Sequence, residues 1–247
     1  MNILDINGLS YSYEGLPEGK RHEVLNNLSF TIDEGESVGL IGANGVGKST
    51  LLKLLCGLLE VQQGKVLVAG TEVNKKHLKQ VRSHVGYVFQ DSDSQLFMST
   101  VYEDVAFAPR NYGLKSDEVH EAVIKALDKV GMTDRKDRQV YRLSGGEKKL
   151  ASIATVLAMP VKLMLMDEPT VALDPRNRRN LIKVVNNLDC AKLIASHDLN
   201  FILDTCSRVV LLTEQGSVYI GDAQDILSDK ELLEKNGLEL PLSMRAL

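Results

Sequence analysis

The chain has 247 residues, with 29 Lys plus Arg against 33 Asp plus Glu, a formal charge of −4, 25% charged and 44% hydrophobic residues. This is the make-up of an ordinary soluble globular protein of one large or two small domains, which excludes a large multidomain machine and gives a core that needs no disulfides. There is no basic excess to serve as an electrostatic footprint for DNA or RNA, so no nucleic-acid partner is expected.

Short strands are expected at 3–6, 9–13, 28–32, 37–41 and 65–69, a β-rich lobe that begins the fold. Gly15, Pro17 and Gly19 give 14–23 loop chemistry, and Asp33-Glu34-Gly35-Glu36 reads as a turn. Residues 48–56 place Leu51, Leu52, Leu54 and Leu55 at helical spacing, with Gly57 positioned to end the helix. A short helix is expected at 101–108 and a longer one at 116–130, with Val119, Val123, Ile124 and Leu127 on one face. From residue 144 the order is helix 147–158, strand 163–166, helix 177–188, strand 193–195, which implies a parallel sheet with helices on its faces. Strands at 209–212 and 217–220, then short helices over 222–236, close the sequence. The richest apolar stretches, 51–59 and 163–166, fall short of the roughly 18 residues a bilayer span needs. Met1-Asn2-Ile3-Leu4-Asp5 lacks the basic region and apolar run of a signal peptide, so a cytoplasmic location is expected. Cys56, Cys190 and Cys206 are odd in number and far apart, which fits buried or inert thiols better than disulfides or a metal site.

Gly42-Ala43-Asn44-Gly45-Val46-Gly47-Lys48-Ser49 follows an apolar strand and opens a helix, the context a P-loop requires. Glycines let backbone N–H groups converge on phosphate oxygens, Lys48 reaches the β- and γ-phosphates, and Ser49 is expected to ligate Mg²⁺. A second apolar strand ends in Asp167-Glu168-Pro169. Two carboxylates at the end of a buried strand are costly unless a cation or partner uses them. Asp167 is expected to hold Mg²⁺ and Glu168 to polarise the attacking water. Leu143-Ser144-Gly145-Gly146-Glu147 precedes an amphipathic helix and reads equally as a capping box.

Taken with Asp174 and Ser196-His197, these segments resemble the ATP-binding-cassette (ABC) ATPases over essentially the whole chain. The resemblance implies an α/β P-loop fold with a mostly parallel sheet, an N-terminal antiparallel β lobe and a helical signature subdomain. Its parts would be a nucleotide-binding core at 1–89 and 162–221, a helical subdomain at 90–161 and a helical tail at 222–247, within one domain spanning 1–247. It assigns 42–50 as Walker A, so that Gly42, Asn44, Gly45, Val46, Gly47, Lys48, Ser49 and Thr50 bind ATP with Mg²⁺. Gln90 becomes the Q-loop glutamine, able to reach both Mg²⁺ and water through its amide. Residues 143–147 become the signature, 163–168 Walker B, Leu173-Asp174 part of the D-loop, and His197 the switch histidine. Lys48, Gln90, Glu168 and His197 form the implied catalytic set. A capped helix N-terminus with two glycines can take a phosphate, so Ser144, Gly145 and Gly146 would bind the γ-phosphate held by a second ATPase subunit, an identical chain or a paralogue. Tyr13 fits the aromatic that stacks on adenine, with Tyr11 on the same strand face as the competing choice.

Two positions depart from the common pattern: Glu147 stands where Gln is more frequent, and Val171 where the D-loop often has Ser or Ala. Gly86-Tyr87-Val88-Phe89-Gln90, Asp91-Ser92-Asp93-Ser94-Gln95-Leu96-Phe97 and Thr100-Val101-Tyr102-Glu103-Asp104-Val105-Ala106-Phe107 narrow the resemblance to the CbiO/EcfA type. That type implies an ATP-hydrolysing subunit, peripheral at the cytoplasmic face of the cell membrane, energising import of cobalt or nickel through a separate integral membrane component. Vitamin uptake by an energy-coupling factor is the alternative, and a non-transport ABC ATPase a more distant one. Leu96, Phe97 and Met98 are either core or a docking patch for the membrane partner. The sequence reaches Leu247, where many relatives carry a longer C-terminal extension, which argues against constitutive dimerisation. A P-loop GTPase is disfavoured, since Asn74-Lys75-Lys76-His77 lacks the Asp of a guanine-reading motif.

Overall fold

The computed structural model describes residues 1–14, 22–214, 216 and 218–245. Strands β1 (Asn2–Tyr13) and β2 (His22–Asp33) are followed by β3 (Ser37–Ile41), α1 (Lys48–Leu55), β4 (Gln63–Val68), β5 (Thr71–Glu72), α2 (Leu78–Arg82) and β6 (Val85–Val88). Three helices come next: α3 (Val101–Asn111), α4 (Ser116–Lys129) and α5 (Gly145–Leu157). The chain then alternates through β7 (Leu163–Asp167), α6 (Pro175–Asn186), β8 (Ala191–Ala195), α7 (Leu199–Thr205) and β9 (Arg208–Leu212). It closes with β10 (Val218–Asp222), α8 (Ala223–Ser228) and α9 (Lys230–Lys235).

One sheet is antiparallel in the order β2-β1-β4-β5, and the other runs β10-β9-β3-β8-β7-β6. In the second sheet only the β10–β9 pairing is antiparallel. Its central strands are apolar on both faces, as buried parallel strands are. Along β7, Leu163 and Leu165 enter a core shared with α1 and the antiparallel sheet, whereas Met164 and Met166 enter a second core among the helices. This sheet is therefore a partition between two apolar layers.

The expected strands 3–6 and 9–13 are one strand, β1, interrupted by a register shift between Ile6 and Leu9. Gly8 at φ 62° forms the bulge that lets Ile6 and Leu9, three apart, both face inward. Residues 37–41 belong to the centre of the parallel sheet, not to the N-terminal lobe, because helices and sheet cover both faces of β3. The elements β5, α2, β6 and α7 are too short for a period to show in sequence. Helix α6 starts two residues earlier than its apolar pattern, since Asp174 caps it and Pro175 supplies a preformed first-turn φ. Most of the expected loop at 14–23, and Ser217 of the expected last strand, lie outside the described residues.

Helix α4 buries Val119, Val123, Ala126 and Leu127 along one stripe, each large aliphatic contributing about 1.5–3 kcal/mol. Among the described residues no helix is long and apolar enough to cross a membrane. Cys56 and Cys206 are buried and Cys190 half-buried, and burial raises all three thiol pKa values, that of Cys206 to about 11.

Candidate active site

β3 delivers the chain to the loop 42–47, and α1 begins at Lys48. Gly42 and Gly47 have φ of 147° and 106°. A Cβ on Gly42 would lie 2.5 Å from the Leu212 carbonyl oxygen, and one on Gly47 would lie 2.7 Å from Val24 Cγ1. Only glycine meets both the conformation and the closeness. With Gly47 at its N-cap, α1 has no side-chain cap, which leaves its first-turn amides for an anion. Lys48 is buried, and its Nζ donates to the carbonyls of Gly42 at 2.7 Å and Ala43 at 3.0 Å. Burial lowers its pKa, opposed by the nearby Glu168 and Asp167.

Asp167 ends β7. Its Oδ1 accepts from Ser49 Oγ at 3.1 Å and its Oδ2 from the Tyr87 hydroxyl at 2.9 Å. Burial and the adjacent carboxylate push the Tyr87 pKa far up, which keeps that hydroxyl a donor. Glu168 adopts φ 44°, unusual for a residue with a side chain, while its N–H donates to Ala195 O at 2.8 Å. Its Oε2 accepts from Ser196 Oγ and His197 N, each at 3.2 Å, and lies 2.8 Å from His197 Nδ1. The turn at Glu168 thus sends two successive carboxylates to different partners around one opening.

That opening is a cleft of about 370 Å³ lined by Asn44, Gly45, Gly47, Lys48, Ser49 and Thr50 of the loop and α1 together with Gln90, Glu168 and His197. Gly42, Val46 and Asp167 are outside this lining; Gly42 is bonded to it through Lys48 and Asp167 through Ser49, whereas Val46 packs in the apolar core. The Ser49 hydroxyl and Asp167 carboxylate are hard oxygen donors of the kind Mg²⁺ takes, and they touch one another. Among the described residues no group of three His, Cys, Asp or Glu side chains is arranged to hold a metal ion. This donor set fits a Mg²⁺ whose remaining ligands come from phosphate and water. Tyr13 sits at the rim, 37% exposed, with its hydroxyl 3.2 Å from Thr50 Oγ1. Tyr11 is buried and meets the Tyr13 ring edge-on at 5.0 Å, so of the two only Tyr13 is open to a base.

Ser144, Gly145 and Gly146 do not line this cleft. They form the N-terminus of α5, where Ser144 Oγ accepts from Glu147 N at 3.3 Å and Glu147 Oε2 accepts from Ser144 N at 2.8 Å. The capping box is therefore present whatever else the segment binds. Glu147 Oε1 also meets Arg135 Nε at 3.2 Å and Arg138 Nη1 at 3.3 Å, pairings an amide could not make as ions. Val171 is half-buried, its N–H donating to Glu168 O at 3.3 Å.

Two polar residues near the site carry no expectation from sequence. Lys149 Nζ donates to Phe89 O at 2.9 Å and Gln90 O at 2.8 Å, and burial lowers its pKa to about 8. Gln95 accepts from Phe89 N at 2.9 Å. The signal for Lys149 is its place in the buried stripe of α5 with Gly146, Ile153 and Val156. A charged residue on an inward face needs a partner, and the sequence does not name it.

Comparison with known proteins gives a consistent result. The profile of the ABC transporter family matches residues 25–171. A Geobacter sulfurreducens protein named as a candidate ABC transporter ATP-binding protein is 43% identical over 99% of this chain and 96% of its own. The energy-coupling factor transporter ATP-binding protein EcfA of Methanothermobacter thermautotrophicus is 41% identical over 97% of this chain and 77% of its own. The solved structure of CbiO1 from Clostridium perfringens, part of the ABC transporter complex CbiONQ, superposes with a TM-score of 0.82 at 34% identity. That match covers 97% of this chain and 96% of the other and extends to the α/β core, the antiparallel sheet and the helical subdomain.

Proposed function

The chain belongs to the ABC transporter family as an ATP-hydrolysing subunit, and we propose that it energises import of cobalt or nickel through a separate membrane component. The observation that carries the chemistry is the meeting of Lys48, Ser49, Gln90, Glu168 and His197 around one cleft, with Asp167 bonded to Ser49. Loop amides 42–50 and Lys48 bind the triphosphate, and Tyr13 stacks on the adenine. Ser49, Asp167 and Gln90 would hold Mg²⁺, which would supply positive charge to offset that of the triphosphate. Glu168 is fixed by three donors on Oε2, leaving Oε1 to take a proton from water. That water attacks the γ-phosphorus in line, the bond to the β-phosphate oxygen breaks, and ADP and inorganic phosphate leave. His197, when doubly protonated, donates through Nδ1 to Glu168 and through Nε2 to the γ-phosphate.

Ser144, Gly145 and Gly146 lie outside the cleft, which supports reading them as the part that serves the γ-phosphate of a second subunit, an identical chain or a paralogue. Closure on ATP would move the helical part at 90–161 against the core at 1–89 and 162–221. The membrane component docks near Phe97, which is 64% exposed and stacks edge-to-face on Phe107 at 4.8 Å. Leu96 beside it is buried, so that segment divides between core and surface. This partner would hold the subunit at the cytoplasmic face of the membrane. The stretch 86–107 resembles the CbiO/EcfA type as a whole, within which cobalt or nickel import is the leading reading. The likeness to EcfA keeps vitamin uptake as the second reading.

Glu168→Gln tests the chemistry. Turnover should fall about 10²–10⁴-fold with ATP binding retained, and an ATP-bound dimer should accumulate on gel filtration. Unchanged turnover with monomers only would overturn it. For cargo, the native complex is purified, its subunits identified by mass spectrometry, and ATP-dependent uptake of labelled cobalt, nickel and vitamins measured in vesicles. Uptake of vitamins alone would reject the metal reading.

A further inference from the structure

Resting on the reading of Gln90 as the group that orients the attacking water, we infer that Lys149, assisted by Gln95, is a positioning residue that fastens the Gln90 backbone to the signature helix α5. The last residue of β6 is Val88, so 89–90 is where the chain leaves the sheet. At that point both backbone polar groups of Phe89 are claimed by side chains anchored on α5. Its carbonyl accepts from Lys149, and its N–H donates to Gln95 Oε1. Gln95 in turn donates through Nε2 to Ser152 O at 2.8 Å and Thr155 Oγ1 at 2.9 Å, both on α5. The Gln90 carbonyl accepts a second bond from Lys149. One turn further along the loop, Asp93 meets Lys148 Nζ at 2.5 Å. Two lysines of α5, Lys148 and Lys149, and Gln95, a loop residue bonded to that helix, therefore tie 89–95 to α5.

A buried ammonium is an expensive way to fill space. Lys149 is 3% exposed, and the hydrogen bonds shown for its Nζ run to carbonyls and not to a carboxylate. Its neighbours on the buried face of α5 are small or apolar: Ala151, Ile153, Ala154 and Val156. A methionine would pack there without desolvating a charge. What the ammonium adds is two directional bonds to adjacent carbonyls of a single loop. The consequence is that the Gln90 side chain keeps its place relative to Ser144 and Gly145 at the head of the same helix, and follows that helix when it moves against β6 and β7.

The test is steady-state ATP hydrolysis by the full chain, with kcat and KM determined separately for K149M, K149R, Q90A and K149M/Q90A. K149M should lower kcat about ten- to a hundredfold, the scale of an ångström-sized misplacement, and leave KM for ATP nearly unchanged. K149R, whose guanidinium can bond both carbonyls, should recover most of the loss. The double variant should be no slower than Q90A. Q95M, which cuts the second tie and leaves no buried charge, should give a smaller kcat loss that also vanishes in the Q90A background. It carries the test if melting shows K149M unfolded. If Q90A is impaired and the Lys149 or Gln95 losses add to it, or if neither variant changes kcat, the positioning role falls alone. If Q90A turns over ATP at the unsubstituted rate, the reading of Gln90 falls and takes this inference with it.

Discussion

Gly146→Ala tests how tightly the signature helix is seated. A Cβ built on Gly146 lies 2.2 Å from Asn177 Cγ, 2.4 Å from Nδ2 and 2.5 Å from Oδ1, whereas carbon contacts settle at about 3.5–4.0 Å. The Asn177 side chain must retreat by about 1 Å or rotate away. It is held by its Nδ2 bond to Asp174 Oδ2 at 2.6 Å, while its backbone N–H bonds Asp174 Oδ1 at 2.9 Å. Losing the side-chain bond costs about 0.5–1.5 kcal/mol and an off-rotamer Asn about as much again. Against this, alanine replaces glycine inside a helix at no positive φ, a gain of about 0.5–1 kcal/mol. The net is a destabilisation of about 1 kcal/mol, or about 2–4 °C in Tm for a chain of this size. The assay is thermal unfolding without nucleotide for Gly146→Ala, Asn177→Ala and the double variant. Removing the Asn177 amide leaves room for the new methyl, so the double variant should melt no lower than Asn177→Ala alone. If the two losses simply add within about 0.3–0.5 kcal/mol, the two positions are not in contact and the steric account is wrong.

Lys48→Ala removes the ammonium beside Asp167 and Glu168, and ATP should bind at least about tenfold more weakly by titration calorimetry, about 1.4 kcal/mol; equal affinity would contradict the P-loop assignment. Tyr13→Ala should weaken ATP by about 1–3 kcal/mol through lost stacking and leave inorganic tripolyphosphate unaffected, whereas Tyr11→Ala should act mainly on stability, by about 3 kcal/mol. Equal losses for ATP and tripolyphosphate in Tyr13→Ala would refute base stacking. Glu147→Gln carries a pH signature. The Ser144 N–H bond, and then Arg135 and Arg138, hold the Glu147 pKa below its ordinary value. Its contribution is therefore present above the unfolded glutamate pKa and disappears as pH falls through the depressed folded value. The variant should lose about 0.2–1 kcal/mol at neutral pH and match the parent in strong acid; a constant difference across pH would exclude the ion pairs as its source.

The P-loop was legible because its glycines, Lys48 and Ser49 sit in one contiguous run whose every residue answers a local demand. Asp167 and Glu168 were legible as costly charges on an apolar strand, but not how they divide: Asp167 to Ser49 and Tyr87, Glu168 to Ser196 and His197. Those partners lie far away in sequence, and strand pairing alone brings them together. The choice between Tyr11 and Tyr13 had the same origin, since alternation assigns a face and not a depth. Lys149 and Gln95 escaped for a further reason. Their partners are backbone carbonyls, an N–H and a hydroxyl, groups that leave no pattern in residue type. The misplaced strand at 37–41 shows the limit of proximity in sequence, because β3 pairs with β8 and β9, which lie well over a hundred residues onward.

The left-handed backbone at Glu168 bears on how this sequence can drift. Holding a side chain at φ 44° costs on the order of 1 kcal/mol that glycine would not incur, so the backbone alone favours Gly, and next Asn, at this position. A glutamate there is kept against that backbone preference, with the Ser196 and His197 bonds to its carboxylate in partial return. In a lineage released from the need to hydrolyse ATP, glycine here would relieve the backbone strain but leave the buried Ser196 hydroxyl and the His197 N–H without the carboxylate they donate to, so the two effects oppose one another. Glycine at 168 in an otherwise intact copy of this chain would read as the mark of a cassette that has stopped turning over.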